Sequence, residues 1–205
     1  MTSINKQTKP ISAESIVACA AKLFRKKGFR NTTLEQIAED FGVTRQAIYY
    51  YFQSKNDILF AIVNTMNDNF INNMGEVLNK DLPPHEKFIQ AAMAHVRGVT
   101  RNPTYVAIWQ EERKQLPEDV SFRFHHTFLN YHNIMFDLYK QGVDSGHFKD
   151  VDPKMAVLTI LGACHWTYFW YRADKFPGPE QLASQMLELF TEGFYIGRDT
   201  TEKDK

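Results

Sequence analysis

The sequence predicts an all-α protein of about nine helices, and three observations carry that expectation. Apolar residues recur three and four apart, as on one face of a helix. No stretch shows the Val/Ile/Thr alternation of a strand or a hairpin turn between two such stretches. Helix-breaking residues punctuate the chain at Pro83-Pro84, Asn102-Pro103, Pro117, Asp152-Pro153 and Pro177-Gly178-Pro179, and Gly142 and Gly146 mark a further break. Helices are therefore expected over residues 12–27, 34–41, 45–52, 56–79, 85–100, 104–115, 118–141, 153–173 and 179–197, with a frayed charged tail over 198–205.

The first helix leads into the most informative segment, TTLEQIAEDFGVTRQAIYYYFQSK, residues 32–55. Thr33 is placed to N-cap the second helix, and Gln36 three residues on completes a capping box. Leu34, Ile37, Ala38 and Phe41 then share one face. Gly42 stands where the chain must turn left-handed, a conformation that costs a residue without a Cβ little. Val43 plugs the angle between the helices, and Thr44 caps the third. On that helix Ile48 and Phe52 point inward, which leaves Arg45, Gln46, Ala47, Tyr49 and Tyr50 facing out. Arginine, glutamine and tyrosines at a helix start suit the major groove, where they meet base edges.

From residue 12 to 59 the chain resembles the DNA-binding segment of the TetR/AcrR family of one-component transcriptional regulators. The motifs G-[FY]-x-x-T-T (residues 28–33), I-A-x-x-x-G-V (37–43) and [IL]-Y-x-[YH]-F-x-[SN]-K (48–55) carry the resemblance. It implies a three-helix helix-turn-helix domain over residues 1–55 and a helical ligand-binding and dimerisation domain over 56–205. By motif position, Arg45 and Gln46 are expected to reach bases, Ala47 a thymine methyl, and Tyr49 a base or the backbone. Thr33, Thr44, Tyr50 and Lys55 are expected to hold phosphates.

Net charge alone says nothing about nucleic acid, because Lys+Arg and Asp+Glu are both 24. Its distribution says more. Residues 1–60 carry nine basic and five acidic side chains, a net +4 that leaves −4 for the rest. A basic head on an acidic body presents one end to phosphates. Cys19 and Cys164 lie in apolar helical surroundings without metal-ligand spacing and read as small buried hydrophobes in a reducing compartment. The polar N-terminus has no signal-peptide core, and no apolar run approaches the roughly 20 residues that span a bilayer. A cytoplasmic protein without membrane contact is expected. His125, His126 and His132 share a helix but lack companion ligands, so no metal is expected. Phosphate-loop, dinucleotide and nucleophile-elbow motifs are missing as well, and neither a cofactor nor catalysis is expected.

The last two helices have apolar surface to spare. Leu158 and Gly162 on the first, with Met186, Leu189, Phe190 and Gly193 on the second, are expected to form a four-helix homodimer interface. The body between residues 80 and 171 is rich in aromatics and methionines, as ligand pockets are, with His95, Arg97, Arg101, Gln110, Arg113 and Arg172 as polar candidates. Residues 161–194 resemble the C-terminal domain of a TetR subgroup with Gly-x-Cys-[NH]-Trp-Thr and Trp-[YF]-Arg motifs, often repressors of fatty acid, steroid or aromatic acid catabolism that answer to acyl-CoA thioesters. The resemblance implies an effector site involving Arg97, Trp109, Arg113, Phe128, Trp166, Trp170 and Arg172, with a ligand wedged near Trp109 and Phe128. The expected function is a homodimeric repressor on a palindromic double-stranded operator, released by a small effector, an acyl-CoA. Two alternatives stand beside it: a repressor sensing cationic or aromatic drugs, and an enzyme acting on CoA thioesters.

Overall fold

A computed structural model describes residues 11–192. Nine α-helices and one 3-10 turn, with no strand, occupy the described residues. They are α1 (Ala13–Lys27), α2 (Leu34–Phe41), α3 (Arg45–Tyr51), α4 (Lys55–Leu78), α5 (Pro84–Arg101), α6 (Pro103–Glu112), the turn Arg113–Gln115, α7 (Glu118–Asp144), α8 (Pro153–Trp170) and α9 (Pro179–Thr191). The expected end of the last helix and Gly193 lie outside the described residues.

Side chains start these helices by satisfying the amides that a first turn leaves unpaired. Ser12 and Ser15 form a capping box on α1, and Thr33 and Gln36 form the expected one on α2. Thr44 accepts from the Ala47 amide at 3.3 Å on α3, and Asp152 accepts from the Met155 amide at 3.0 Å on α8, where Pro153 opens the helix. Gly42 ends α2 in the left-handed conformation, with φ 79° and ψ 34°. Arg25, Lys26 and Lys27 fill the last turn of α1, where cations oppose the negative end of the helix dipole.

Two expectations about helix ends change. Gly142 does not break α7, which runs through it to Asp144. A Cβ on Gly142 would collide with the Phe148 ring, so this glycine admits a close approach; Gly146, at φ 75°, is the residue that turns the chain. α8 stops at Trp170 instead of Ala173, because Tyr171 is extended and its hydroxyl donates to the Pro177 carbonyl at 3.2 Å. Phe176 then packs edge-on against Trp170, 5.0 Å between centroids.

The chain divides into two compact units, and the division is not sequential. Unit 1 comprises residues up to Asn69 together with 102–127; unit 2 comprises 70–101 and residues from Phe128 onward. In unit 1, α1 packs against α2 and α6, and an Arg25–Glu111 ion pair joins α1 to α6. Ile16, Ile37, Ile48, Ile58, Ile62 and Ile108 are fully buried, each contributing roughly 1.5–3 kcal/mol through removal from water. In unit 2, α5 is central and packs against α8 and α9. Phe88, Ala92 and Val96 of α5 meet Met135 and Leu138 of α7, Val157, Leu161 and Cys164 of α8, and Ala183 and Leu187 of α9. Both cysteines are buried and free, as their surroundings in the sequence suggested.

The two mid-helix glycines predict opposite outcomes. Gly75 of α4 has open space where a Cβ would stand, so Gly75→Ala should raise stability by about 0.5–1 kcal/mol through helix propensity. Gly142→Ala gains the same propensity but forces the Phe148 ring out of place, an overpacking that costs about 1–3 kcal/mol. Denaturant unfolding of both variants should show midpoints moving apart. A rise in both would mean that Phe148 yields freely.

Candidate functional site

The outward face of α3 is held by what lies behind it. Ile48 and Phe52 are buried, Ala47 and Tyr49 are half-buried at the edges, and Arg45, Gln46 and Tyr50 stand in solvent. Tyr50 is 81% exposed, too open for a packing residue, and its ring meets Tyr51 edge-on at 5.0 Å. Arg45 is parked against its own surroundings. Its Nη2 donates to the Tyr49 hydroxyl at 2.9 Å, its Nε lies 2.9 Å from Glu35 Oε1, and its guanidinium sits 4.9 Å from the Tyr49 ring centroid. To grip a guanine edge it must leave Glu35. Thr33 and Thr44 accept cap hydrogen bonds at exposed helix starts, which leaves each hydroxyl proton available to a phosphate.

Lys55 corrects the expectation of a phosphate ligand. Its Nζ donates to the carbonyls of Phe29 at 2.8 Å, Arg30 at 3.0 Å and Thr32 at 3.1 Å, and lies 4.6 Å from the Phe29 ring centroid. An ammonium has three donors, and all three are spent inside unit 1. Lys55 also opens α4, where the helix dipole disfavours a cation. The three carbonyls offset that cost. Asp57 adds an acid in the same first turn and accepts from the Ser54 amide at 2.8 Å. The clasp ties the loop before α2 to the start of α4 and so closes the chain around the whole α2–turn–α3 segment.

The seven residues expected at the effector do not gather in one place. Trp109 is buried in unit 1, 3.7 Å from the Phe124 ring centroid, and Arg113 is exposed in the 3-10 turn. In unit 2, Arg97 faces Glu180 at 3.4 Å and shares it with Arg101 at 2.9 Å, which joins α5 to α9. Phe128 is exposed on α7 and lies 4.0 Å from His132. Trp166 stands on the open face of α8, Trp170 packs on Phe176, and exposed Arg172 donates to the Tyr171 carbonyl. Trp166 thus keeps company with Leu158 and Gly162 on the expected dimer face.

A cavity of about 650 Å³ lies in unit 1, lined by Val63, Asn64, Asn67 and Asp68 of α4 and by Val120, Phe122, Phe124, His126 and Thr127 of α7. Phe122 and Phe124 were among the aromatics expected in the sensing body. The α4 polar residues were missed, although their spacing of three and four on a helix with a buried opposite face was a readable signal.

His95 of α5 is the main polar anomaly of unit 2. It is 9% exposed, and neither ring nitrogen has a hydrogen-bond partner. The rings of Phe70, Tyr131 and His165 surround it at 5.0, 5.7 and 5.9 Å between centroids. Burial, aided by His165 and His132, pushes its pKa down to about 3, so the imidazole is neutral. Burial likewise lowers His132 and His165 and raises the Tyr131 phenol, which leaves the cluster polar but uncharged.

Comparison with known proteins gives a consistent account. A family model for bacterial regulatory proteins of the tetR family matches residues 16–62, and one for the tetracyclin repressor-like C-terminal domain matches residues 81–194. The chain is 25% identical to the HTH-type transcriptional repressor KstR2 of Mycolicibacterium smegmatis, over 88% of this chain and 89% of that one. A solved TetR/AcrR-family regulator from Thermobifida fusca is 33% identical with a TM-score of 0.70, covering 90% of this chain and 98% of its own. The structure of AibR in complex with isovaleryl coenzyme A and operator DNA is 25% identical with a TM-score of 0.74, covering 89% and 99%.

Two measurements check this geometry. Lys55→Met should lower stability by about 1.5–3 kcal/mol, the scale of hydrogen bonds to a charged donor, and speed amide exchange over residues 29–34; unchanged exchange would argue that the clasp does not hold in solution. His95 carries a folded pKa depressed from 6.5 to about 3, so between those values the unfolded chain takes a proton that the folded chain refuses. Its contribution is intact above pH 6.5 and lost as pH falls, at up to about 1.4 kcal/mol per pH unit. His95→Phe should flatten the stability profile over pH 4–6.5, and an unaltered slope would assign the acid sensitivity elsewhere.

Proposed function

Because the chain belongs to the TetR family of bacterial regulatory proteins, we propose that it is a homodimeric repressor that binds a palindromic operator and is released by a small effector. The families and relatives it matches are transcriptional regulators, not enzymes. The observation that carries the proposal is the α3 face: Arg45, Gln46, Tyr49 and Tyr50 at a capped helix start, backed by buried Ile48 and Phe52. Such a face fits the major groove, with arginine for guanine and glutamine for adenine. Ala47 is set for a thymine methyl, while Thr33, Thr44 and Tyr50 hold phosphates at its rim.

One α3 reads too few base pairs to bind tightly, and the exposed apolar surface offers the remedy. Met155, Leu158, Trp166 and Phe169 of α8 are 67%, 51%, 54% and 62% exposed and fall in one helical stripe with Gly162. Leu189 and Phe190 of α9 are exposed as well, with Met186 half-buried beside them. A contiguous apolar patch of this kind favours burial against a second copy, as a four-helix interface. The two-fold dimer then reads half-sites about 34–36 Å apart or a multiple of that.

Kinship with AibR, whose structure holds isovaleryl coenzyme A and operator DNA, supports an acyl-CoA thioester as the effector. A cationic or aromatic small molecule is the second reading, favoured by a cavity whose described lining includes Asp68 and no lysine or arginine. An operator-binding titration with acyl-CoAs, free CoA, free acids and aromatic amines separates the two. Release by a thioester alone supports the first, and release by amines alone supports the second.

Arg45→Ala should weaken operator binding on the order of ten- to a hundred-fold and flatten base preference at one position, through loss of a bidentate contact. Equal loss on operator and random DNA would remove Arg45 from base reading. Leu158→Glu should give monomers in sedimentation and abolish operator binding at concentrations where the parent chain is saturated, since a charge in a closed apolar interface is costly. A wild-type monomer at micromolar concentration would overturn the dimer.

A further inference from the structure

The unit 1 cavity has two unlike walls. On α4, Asn64, Asn67 and Asp68 fall three and four apart and so share one face. None of these three side chains makes a hydrogen bond or ion pair with another described residue. On α7, Val120, Phe124 and Thr127 form an inner stripe, and Phe122 with His126 an outer one, their rings 6.5 Å apart. Phe122 is 68% exposed, an aromatic left open beside three uncommitted polar groups. Buried Val63 and Val120 close the bottom.

We propose that this cavity is an effector subsite for a non-anionic group bearing N–H donors, an amide or an organic ammonium, joined to an apolar segment that lies on Phe122 and Phe124. The proposal deepens the reading of the chain as an effector-released regulator and rests on it. The Asp68 carboxylate and two carboxamide oxygens accept N–H donors, while the carboxamide nitrogens supply donors to a carbonyl. An amide uses both. An ammonium uses the acceptors and gains the charge of Asp68. A phosphate or carboxylate meets Asp68 with no lysine or arginine among the described lining residues to offset it. The phosphates of a coenzyme-linked effector therefore stay outside, and its amide-bearing arm enters.

The two sources of the N–H group are separated with phosphate-free probes on the full-length protein. S-isovaleryl-pantetheine presents amides beside a short acyl group; phenethylammonium presents a cation beside a ring; 3-phenylpropionate is the anion of similar shape. Dissociation constants and the side-chain amide signals of Asn64 and Asn67 are followed in the wild type, Asp68→Asn and the double variant Asn64→Ala/Asn67→Ala. These residues are exposed or half-buried, so folding is not at risk, and unfolding midpoints check it. For an amide ligand, S-isovaleryl-pantetheine shifts both signals and loses about ten-fold in affinity in the double variant, with little change in Asp68→Asn. For an ammonium ligand, phenethylammonium shifts the signals and loses about ten-fold in Asp68→Asn. Either result supports the site and identifies its source. Binding of 3-phenylpropionate as tight as that of phenethylammonium, or no shift of the Asn64 and Asn67 signals by any probe at millimolar concentration, overturns it. Operator binding without any probe is measured separately: its failure, with probes still bound at Asn64 and Asn67, sinks the repressor reading and leaves the site.

Discussion

The DNA-reading surface depends on one constraint: α3 is only seven residues long and cannot hold its own shape. Isolated helices much below twelve residues are marginal in water. Its outward side chains are therefore positioned by whatever grips its inner face and ends. Ile48 and Phe52 supply the grip, Thr44 the cap, and left-handed Gly42 the sharp turn that sets α3 against α2. Lys55 adds the closure. By binding the Phe29, Arg30 and Thr32 carbonyls it joins the two ends of the segment that contains α2 and α3. Ordering this loop in advance lowers the entropy lost on meeting DNA, which favours tight binding by a small element.

Features fixed by local chemistry were legible in the sequence. The Thr33–Gln36 capping box, the Thr44 cap, the Gly42 turn and the inward Ile48 and Phe52 all rest on residues within about four positions of each other, where spacing determines which groups meet. Features fixed by distant partners were not. Lys55 reads as a surface cation until the loop 26 residues earlier is brought beside it. Gly142 reads as a breaker until Phe148 folds back onto it. The arginines Arg97 and Arg101 read as phosphate ligands, yet Glu180 across α5 and α9 occupies both. Trp166 fits a motif, and only burial reveals that its ring faces outward with Leu158.

Unit 2 carries costs that a purely structural domain would have shed. His95 keeps two buried nitrogens without partners, a penalty of about 1–3 kcal/mol for each unsatisfied group. The α8 stripe keeps four large apolar side chains in water. A dimer would recover the second cost. Polar groups held neutral by burial, as in the His95 cluster, retain hydrogen-bonding capacity without the Coulombic demand of a charge.

A regulator also needs the effector to favour one state over another, because equal affinity for both shifts nothing. Moving a population from 99:1 to 1:99 requires about a 10⁴-fold difference in affinity, or roughly 5.5 kcal/mol. Unit 1 offers a short route for that energy. Asn64 lies nine residues along α4 from Lys55, about 13 Å at the rise of an α-helix. A ligand seated on Asn64, Asn67 and Asp68 therefore loads the same helix whose first residue clasps the loop in front of α2. Side chains packed to crystal density transmit such a load instead of absorbing it. A shift of α4 along its axis strains three hydrogen bonds at Lys55 together, and the element they release is the one that must present Arg45 and Gln46 in register. Placing the sensing wall and the clasp on one rigid helix makes operator affinity sensitive to a small displacement, without requiring the recognition helix itself to touch the effector.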